Sequence, residues 1–424
     1  VHVEEHIDRL IDIFNACWPM YAAMPAVLKE SICRAYESCG WDLVNSTSEY
    51  NIFPSFEDVE RELNGYINDS EYSSDSKGDY KGALGIRLQS LSNGIIGKVF
   101  SGQELTSEEL FERNNIIDLS RVGSIETKSL IMGVLIIKLN EFRMSENAGM
   151  NLPLRHVTVL EEAHNLLRAS SSVQSQESAN LTGKSVEMIA SSIAEMRTYG
   201  EGFIIADQSP ALLDKAAISN TNTKIIMNLP NLEDKQIAAT SIGLSEQQTN
   251  ELSRLKTGVA VVYQKGWEEP VQCQITRFEG ISPYIERENS IASSDTTSFI
   301  SYIVKAYTTD EALYRSQLLP MLDTVDISGY RKIQLMSILS DDQSSTEEIC
   351  AKIFVLIVGE KLFLKASKLN ELHLFNNFIR SGLKRIVGND GNIDIYLDMY
   401  IKGCSLMNKT AFYENWLIQN SKNK

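Results

Sequence analysis

The spacing of apolar residues changes twice along the chain and divides it into three regions. Near the start, apolar positions recur at helical spacing in IDRLIDIFNACW, a pattern typical of amphipathic helices. From residue 114 short apolar runs alternate with helical patterns, and beyond residue 282 the pattern is helical again. We therefore predict a helical segment at 1–113, an α/β core at 114–282 and a helical region at 283–424.

The middle region predicts a mostly parallel sheet with crossover helices, because strand and helix patterns alternate along it. A polar stretch ahead of it, NDSEYSSDSKGDYKG, is predicted as a linker or loop. The last two runs, GVAVVYQKG and PVQCQITRF, predict an antiparallel pair that closes the sheet. The other strands are predicted at NNIIDLS, HVTVLEEAH, GFIIADQS and TKIIMNLP, and the helices at ETKSLIMGVLIIKLNEF and SVEMIASSIAEMRTYG.

Composition narrows the class of protein. The 424 residues are 43% hydrophobic, enough for packed cores, and their net charge of −16 argues against general adhesion to nucleic acid or anionic membranes. Any contact with DNA must therefore be local. The six cysteines form no CxxC pair, so a reducing, cytoplasmic location fits best. Lys138 interrupts the most apolar helix pattern well short of the ~20 residues that cross a bilayer, and no membrane partner is predicted.

The stretch LTGKS at residues 181–185 has the Gly-Lys-Ser ending of a nucleotide phosphate-binding loop. The full pattern needs an earlier glycine at position 178, where this chain has Ser178. It must also follow a buried strand, whereas a polar, serine-rich run precedes LTGKS. We predict instead that LTGKS opens a helix.

Two adjacent carboxylates, Glu161 and Glu162, end the apolar run HVTVL. Ligands of open α/β sheets bind at the carboxyl ends of the strands, so both acids can face that crevice. The first could hold the shell of a Mg²⁺ ion, and the second could polarise a water for attack on a γ-phosphate. The alternative is a strand that ends in solvated acids.

Gln208 and Arg197 complete the candidate residues of the core. Gln208 ends the next strand pattern, where its amide could hydrogen-bond the attacking water or the γ-phosphate. Arg197 lies at the carboxyl end of the intervening helix, and in a ring of subunits it could reach a neighbour's phosphates. A polar strand end and a cation that complements a helix dipole are the respective alternatives.

Together, NNIIDLSRV, HVTVLEEAHNLL, SIAEMRTYGEGFIIADQSP and TKIIMNLP resemble the HerA branch of the FtsK and HerA superfamily of ring-forming translocase ATPases. The resemblance covers about residues 114–280. It implies a RecA-like P-loop NTPase core in which Glu161 takes the metal-side Walker B position and Glu162 the catalytic base. It also implies Gln208 as sensor and Arg197 as a finger that acts in trans. Glu161 stands where the superfamily usually has aspartate, which alters the expected metal coordination.

Function and partners follow from the same resemblance. It implies ATP and Mg²⁺ as cofactors, a homo-oligomeric, hexameric ring, and DNA translocation or unwinding through a central pore. A nuclease or another effector is the implied partner, including in defence against phage. The second hypothesis is a ring scaffold that uses nucleotide to assemble and activate an effector, which the acidic charge balance favours.

The sequence contains no Walker A loop, although a RecA-like sheet carries that loop on a central strand. That strand lies between the sensor strand and the one after it, so the sheet of this chain is expected to be incomplete and split there. We therefore expect this sequence to be the carboxyl-terminal portion of a longer polypeptide, with 1–113 inserted after the phosphate loop. Arg168 and Lys184 flank the serine-rich run, which could face the pore of a ring. They are candidate contacts to DNA phosphates, or simply solvated loop charges.

Overall fold

The computed structural model describes residues 1–100, 105–146, 149–169, 176–278, 296–309, 313–322, 325–341, 343–369, 371–387 and 393–422. The strands are β1 Trp41–Asp42, β2 Thr47–Ser48, β3 His156–Glu161, β4 Glu201–Ala206, β5 Thr223–Ile226, β6 Val259–Gln264 and β7 Val271–Gln274. The helices are α1 Val3–Cys17, α2 Met24–Ser38, α3 Phe56–Asp69, α4 Ser74–Tyr80, α5 Ile86–Ser92, α6 Gly94–Val99, α7 Ser107–Phe111, α8 Ile125–Ser145, α9 Gln176–Glu195, α10 Lys215–Asn220, α11 Leu232–Ile242, α12 Glu246–Glu251, α13 Thr296–Thr309, α14 Arg315–Leu322, α15 Gly329–Leu339, α16 Thr346–Val358, α17 Lys361–Ala366, α18 Leu372–Val387, α19 Ile393–Met407 and α20 Phe412–Lys422.

Two compact units share the chain. The first combines Val1–Lys29 with Leu105–Glu286, and the second combines Glu30–Glu104 with Arg287–Lys424. The first 113 residues are therefore divided between the two units. No helix formed by the described residues is both long and apolar enough to span a bilayer.

In the first unit, β3 and β4 form a parallel pair joined by the crossover helix α9. The pairing places His156 opposite Glu201 at one end and Glu161 opposite Ala206 at the other. Helix α8 is apolar and largely buried, and α1 packs against both α8 and α9. These helices were predicted from their apolar spacing.

The second sheet of this unit is antiparallel, in the order β5, β6, β7. Helix α11 and β5 pack into its small core through residues such as Ile226, Ala239 and Ile242. Among the described strands, β4 and β5 are not hydrogen-bonded to each other. The core, predicted as a mostly parallel sheet that is incomplete in this chain, is seen as a parallel pair and a separate antiparallel sheet, and the predicted β6–β7 pair is confirmed.

Two local predictions were wrong. NNIIDLS is not a strand: Ile116 is 82% exposed, and no neighbouring strand pairs with the run among the described residues. Instead, the Asn115 side chain donates to the carbonyls of Glu109 and Leu110 and so binds the last turn of α7. The polar stretch at 68–82 is partly helical, because Ser73 caps α4 by accepting from the backbone N–H of Ser76 at 3.3 Å.

The second unit is built almost wholly of helices, and among its described residues 296–422 form helices and turns alone. Its core includes Phe354, which stacks on Tyr396. The buried Asp58 carboxylate closes the capping box of α3 and accepts from the backbone N–H of Gly329 at 2.9 Å, which fastens α3 to the start of α15. Residues 279–295, which include the predicted boundary at 282, lie outside the described residues.

Candidate active site

The pairing of β3 with β4 brings their carboxyl ends together, as the apolar patterns predicted. Glu161 is the last residue of β3 and lies opposite Ala206, so Glu162 and Asp207 follow at the same level. The side chains of Glu161, Glu162 and Gln208 are all exposed there. One edge of the parallel pair therefore presents two carboxylates and an amide to solvent.

Glu162 has a left-handed backbone conformation, with φ of 48° and ψ of 49°. A residue with a side chain pays about 1 kcal/mol or more for this conformation, and such strain collects at functional sites. The strand ends abruptly at this residue, and a 3₁₀ turn, Ala163–Asn165, follows it. The amide of Asn165 donates to the Glu162 carbonyl at 2.9 Å, which holds the turn closed.

Asp207 and His164 join the two strand ends, and sequence reasoning did not single out this pair. The Asp207 side chain is only 3% exposed. Its Oδ2 accepts from the backbone N–H of His164 at 2.9 Å and from the imidazole Nδ1 at 2.8 Å. Its Oδ1 accepts from the backbone N–H of Ser209 at 2.9 Å. The sequence shows an acid and a histidine at neighbouring strand ends, but only the register brings them into contact.

A second buried carboxylate holds the chain beyond Gln208. Asp234, 5% exposed at the start of α11, accepts from the Ser209 hydroxyl and from the backbone N–H of Ala211 at 2.9 Å. Gln208 therefore lies on a segment that is fastened on both sides.

Arg197 lies at the opposite end of the strand pair. It is exposed on the 3₁₀ turn Met196–Tyr199, which immediately precedes β4. Strands rise about 3.3 Å per residue, so the start and the end of β4 are roughly 16 Å apart. The structure does not bring Arg197 together with Glu161, Glu162 and Gln208 of its own chain.

The turn that carries Arg197 is held tightly. Gly200 follows it with φ of 81°, and a side chain there would meet the carbonyl oxygen of Pro153. The Gly200 carbonyl accepts from the backbone N–H of Arg155 at 2.9 Å. The Thr198 carbonyl accepts from the backbone N–H of Leu152 at 3.1 Å.

LTGKS lies inside helix α9 and does not form a phosphate loop. Its backbone amides are used within the helix, so they cannot curl around phosphates as the loop of a nucleotide site does. The first described residues of α9, from Gln176, belong to the serine-rich run that was predicted as a loop, and residues 170–175 lie outside the described residues. The Ser185 hydroxyl donates to Asp12 at 3.3 Å.

Lys184 lines a cavity of about 630 Å³ between α1, α8 and α9. Arg9 lies there too, but so do the carboxylates of Asp12, Glu187 and Glu195. Burial raises the pKa of Asp12 in this setting. The charges around Lys184 are mixed, and the cavity is not an electropositive groove.

Arg168 is exposed on the segment that follows the 162–165 turn. Its backbone forms an isolated antiparallel bridge with Leu213, and the N–H of Ala169 donates to the Leu212 carbonyl at 2.9 Å. The backbone of Arg168 is therefore fixed, while its side chain faces solvent beside residues that are not described.

The site offers few side chains that could hold a metal ion. The described residues contain no group of three or more histidine, cysteine or acidic side chains placed to hold a metal ion. Mg²⁺ usually binds one or two carboxylates together with water and substrate phosphates. An exposed carboxylate at a strand end, as Glu161 provides, fits that mode of binding.

One face of the strand pair is uncovered. Val157, Val159 and Ile204 lie on it and are 41%, 57% and 54% exposed. Glu161 shares this face, because side chains alternate along a strand. Parallel sheets are normally covered by helices on both faces, so this apolar surface lacks a layer among the described residues.

Several proteins that are similar to this chain are named HerA. The chain is 31% identical over 170 residues to the DNA double-strand break repair helicase HerA of Sulfolobus acidocaldarius, covering 39% of this chain and 32% of the relative. The HerA proteins of Saccharolobus solfataricus and Sulfurisphaera tokodaii are 29% and 27% identical over 186 and 267 residues. These matches cover 42% and 56% of this chain, and 35% and 51% of the two relatives.

The predicted resemblance to HerA-type ATPases is therefore confirmed. The chain spans between a third and a half of the length of these relatives. No protein-family model matches it. Among solved structures, VirB4 of Thermoanaerobacter pseudethanolicus has a TM-score of 0.44 and 16% identity, over 66% of this chain and 70% of that one. A likeness of that size carries no argument about this chain.

Proposed function

We propose that this chain supplies the residues that hydrolyse ATP in a ring-forming DNA translocase or helicase of the HerA type. The observation that carries the proposal is the paired carboxyl end of β3 and β4, where a strained Glu162 lies beside the segment that bears Gln208. Support also comes from the HerA relatives, whose name describes a helicase of DNA double-strand break repair.

Each exposed side chain of this edge has a role in the proposed hydrolysis of ATP. Glu162 accepts the proton of the attacking water as general base. Gln208 orients that water through its amide. Glu161 would hold a Mg²⁺ ion, which would neutralise charge on the phosphate oxygens.

We infer that a phosphate-binding strand outside the described residues completes a RecA-like sheet between β4 and β5. Both strands have a free edge there among the described strands, since β4 pairs only with β3 and β5 only with β6. The uncovered face with Val157, Val159 and Ile204 offers an apolar surface to the helix that would follow such a strand. Ile225 of β5 is likewise an exposed apolar residue, which such an added layer would bury.

Arg197 is proposed to act on the nucleotide of a neighbouring subunit. Its turn lies at the end of β4 that is remote from Glu162, so it does not serve the site of its own chain. In a ring, hexameric in the HerA-type resemblance, this arginine stabilises the charge that develops on the transferred phosphate. Arg168 and Lys184 remain the proposed contacts to DNA in the pore.

A nucleotide-dependent scaffold is the second candidate function, and the net charge of −16 favours it. Such a ring assembles and activates an effector protein with little movement along DNA. A nuclease or another effector is a proposed partner in both cases, in DNA processing or defence against phage.

ATP hydrolysis by the intact protein, measured with and without DNA, tests the proposal. A translocase hydrolyses ATP faster when DNA is present, and a scaffold does not respond. Glu162→Gln keeps ATP binding and ring assembly while lowering turnover by about 10²-fold or more, the scale of a general base. Unchanged turnover removes Glu162 from the mechanism.

Mixed rings test the role of Arg197. Arg197→Ala is expected to bind ATP yet lose roughly 10³-fold in turnover, as other arginine fingers do. When this variant is mixed with Glu162→Gln, some interfaces join an intact Glu162 to an intact Arg197. Partial recovery of hydrolysis supports action in trans, whereas rings that are shown to be mixed and stay inactive leave Arg197 a structural cation.

A further inference from the structure

A single buried carboxylate holds both turns that display the candidate hydrolytic side chains. Oδ2 of Asp207 binds the turn that begins at Glu162, through the backbone and the imidazole of His164. Oδ1 binds the turn that contains Gln208, through the backbone N–H of Ser209. The side chains of Glu162 and Gln208 themselves are exposed.

We propose that Asp207 and His164 are positioning residues that set the Glu162 carboxylate against the Gln208 amide. The inference rests on the proposed ATP hydrolysis and adds to it a coupling between the two strand ends. Asp207 touches neither substrate nor metal in this arrangement. It acts through the two turns.

His164 donates two hydrogen bonds to the same oxygen of Asp207. A carboxylate can only accept, so the Nδ1 that lies 2.8 Å from Oδ2 carries the proton. Oδ2 thus receives two donors from the same residue, one from the backbone and one from the side chain. With only 3% of the Asp207 side chain exposed, water cannot easily replace a lost donor. Loss of either partner therefore loosens the turn that keeps Glu162 in its left-handed conformation.

Three substitutions in the intact protein separate positioning from simple loss of structure. His164→Ala removes the side-chain donor, and Asp207→Asn replaces one acceptor oxygen with an amide that cannot accept. His164→Asn is the conservative variant, because its amide nitrogen lies close to the position of Nδ1 and still donates. Asp214→Asn is the matched control: the Asp214 side chain also accepts from a backbone N–H, that of Ala216 at 2.8 Å, but it caps α10 instead of holding either turn.

We expect His164→Ala and Asp207→Asn to lower kcat by roughly 10- to 100-fold, the cost of a misplacement of about 1 Å at a reacting group. The dissociation constant of a fluorescent ATP analogue is expected to stay within about twofold, because neither residue contacts nucleotide. His164→Asn recovers most of kcat, and Asp214→Asn leaves it unchanged. Equal kcat in His164→Ala and the unsubstituted protein, or no recovery in His164→Asn, overturns the proposal.

Hydrogen exchange supplies a readout that needs no ATP hydrolysis. In Asp207→Asn, exchange is expected to quicken both in the peptide around residues 162–166 and in the peptide around 208–212, while β3 itself stays protected. Faster exchange in only one of the peptides means that the two turns are not coupled, and the inference fails. If the unsubstituted protein shows no ATP hydrolysis while both peptides respond, the proposed function fails and the coupling stands.

Discussion

The two ends of the β3–β4 pair are built in opposite ways. At the amino end, Arg143 and Glu201 are each only 2% exposed, and Nε of Arg143 donates to Oε2 of Glu201 at 3.1 Å. Oε1 of Glu201 accepts from the Thr158 hydroxyl at 2.8 Å and from the His156 ring at 2.6 Å. At the carboxyl end, Glu161, Glu162 and Gln208 face solvent.

The amino end extends its network outward. Arg143 also donates to Glu112 and, at 3.1 Å, to Glu146, and Arg155 binds the same two carboxylates. The hydrogen bond from Arg143 lowers the pKa of Glu112. The carbonyl of Phe111 accepts a further bond from the guanidinium at 3.2 Å, so α7 and α8 are both tied to the start of β4.

The difference shows that the buried, paired charges that stabilise this unit lie at one end of the strand pair and the exposed candidate residues at the other. Buried charges that are fully paired hold the strands in place at one end. The other end leaves its polar groups unpaired and tolerates a strained residue, which is the condition of a site that meets a ligand. Asp207, with His164, and Asp234 supply buried hydrogen bonds at the carboxyl end as well.

The comparison predicts its largest effect at Glu201. Glu201→Gln leaves the buried Arg143 without its fully buried carboxylate partner. We therefore expect a loss of about 3 kcal/mol in the free energy of unfolding, the low end for a broken buried pair. Glu146→Gln is the control, since its side chain is 23% exposed, and it is expected to cost about 1 kcal/mol or less. Urea denaturation measures both. Equal losses for the two variants would show that the buried ion pair stabilises the fold no more than the partly exposed one.

Gly200→Ala comes next in size. The substitution forces a side chain onto a backbone with φ of 81° and into the carbonyl of Pro153, so we expect a loss of roughly 2–3 kcal/mol. Gly243→Ala is matched to it, because Gly243 has φ of 73° and nothing within 4 Å of the added carbon. That control is expected to lose only about 1 kcal/mol, the backbone cost alone. A common loss for both would mean that contact with Pro153 is irrelevant.

At the carboxyl end the expected change has the opposite sign. Glu162→Gly relieves the left-handed strain and should stabilise the protein by up to about 1 kcal/mol while abolishing ATP turnover. Glu162→Ala also removes the carboxylate but keeps the strain, so it should be about 1 kcal/mol less stable than Glu162→Gly. Thermal unfolding of the two variants measures the difference. If alanine is as stable as glycine, the residue is not strained in solution.

The smallest effect is the response of the amino end to acid. The pKa of Glu112 is lowered in the folded protein, so its ionised carboxylate stabilises the fold at pH values above the ordinary pKa of 4.5. This stabilisation is lost as the pH falls below 4.5 and through the lowered pKa of the folded protein. We expect Glu112→Gln to flatten this part of the stability profile slightly, since the side chain is 42% exposed. Unfolding measured between pH 7 and pH 3 gives the profile. A steeper profile in the variant would contradict the sign of the shift.

The sequence was sufficient to predict the strands and helices that build the exposed site. Apolar runs marked β3 and β4, and the polar residues that follow each run lie at one edge because parallel strands end together. The same logic failed for NNIIDLS, since an apolar run forms a strand only where a neighbour offers an edge, and Ile116 has none among the described residues. The roles of Glu161, Glu162, Gln208 and Arg197 stay predictions.

The contacts that hold the site could not be predicted from the sequence. Arg143 reads as a cation in the last turn of a helix, yet it is buried against Glu201, a residue 58 positions away. Asp207 meets His164 across 43 positions. Contacts of this kind depend on pairing between distant segments, and no local spacing signals them.

Glu201 also fixes how β3 and β4 are aligned. A slip of one residue between the strands would exchange their two faces, which would move Glu201 from its buried partners to the uncovered side. The same slip would place Ala206 or Gln208 where Asp207 now meets His164. Burying a charge at the first residue of β4 thus makes every misaligned pairing costly, and the edge proposed for hydrolysis, about 16 Å away, owes its alignment to a residue outside the proposed site.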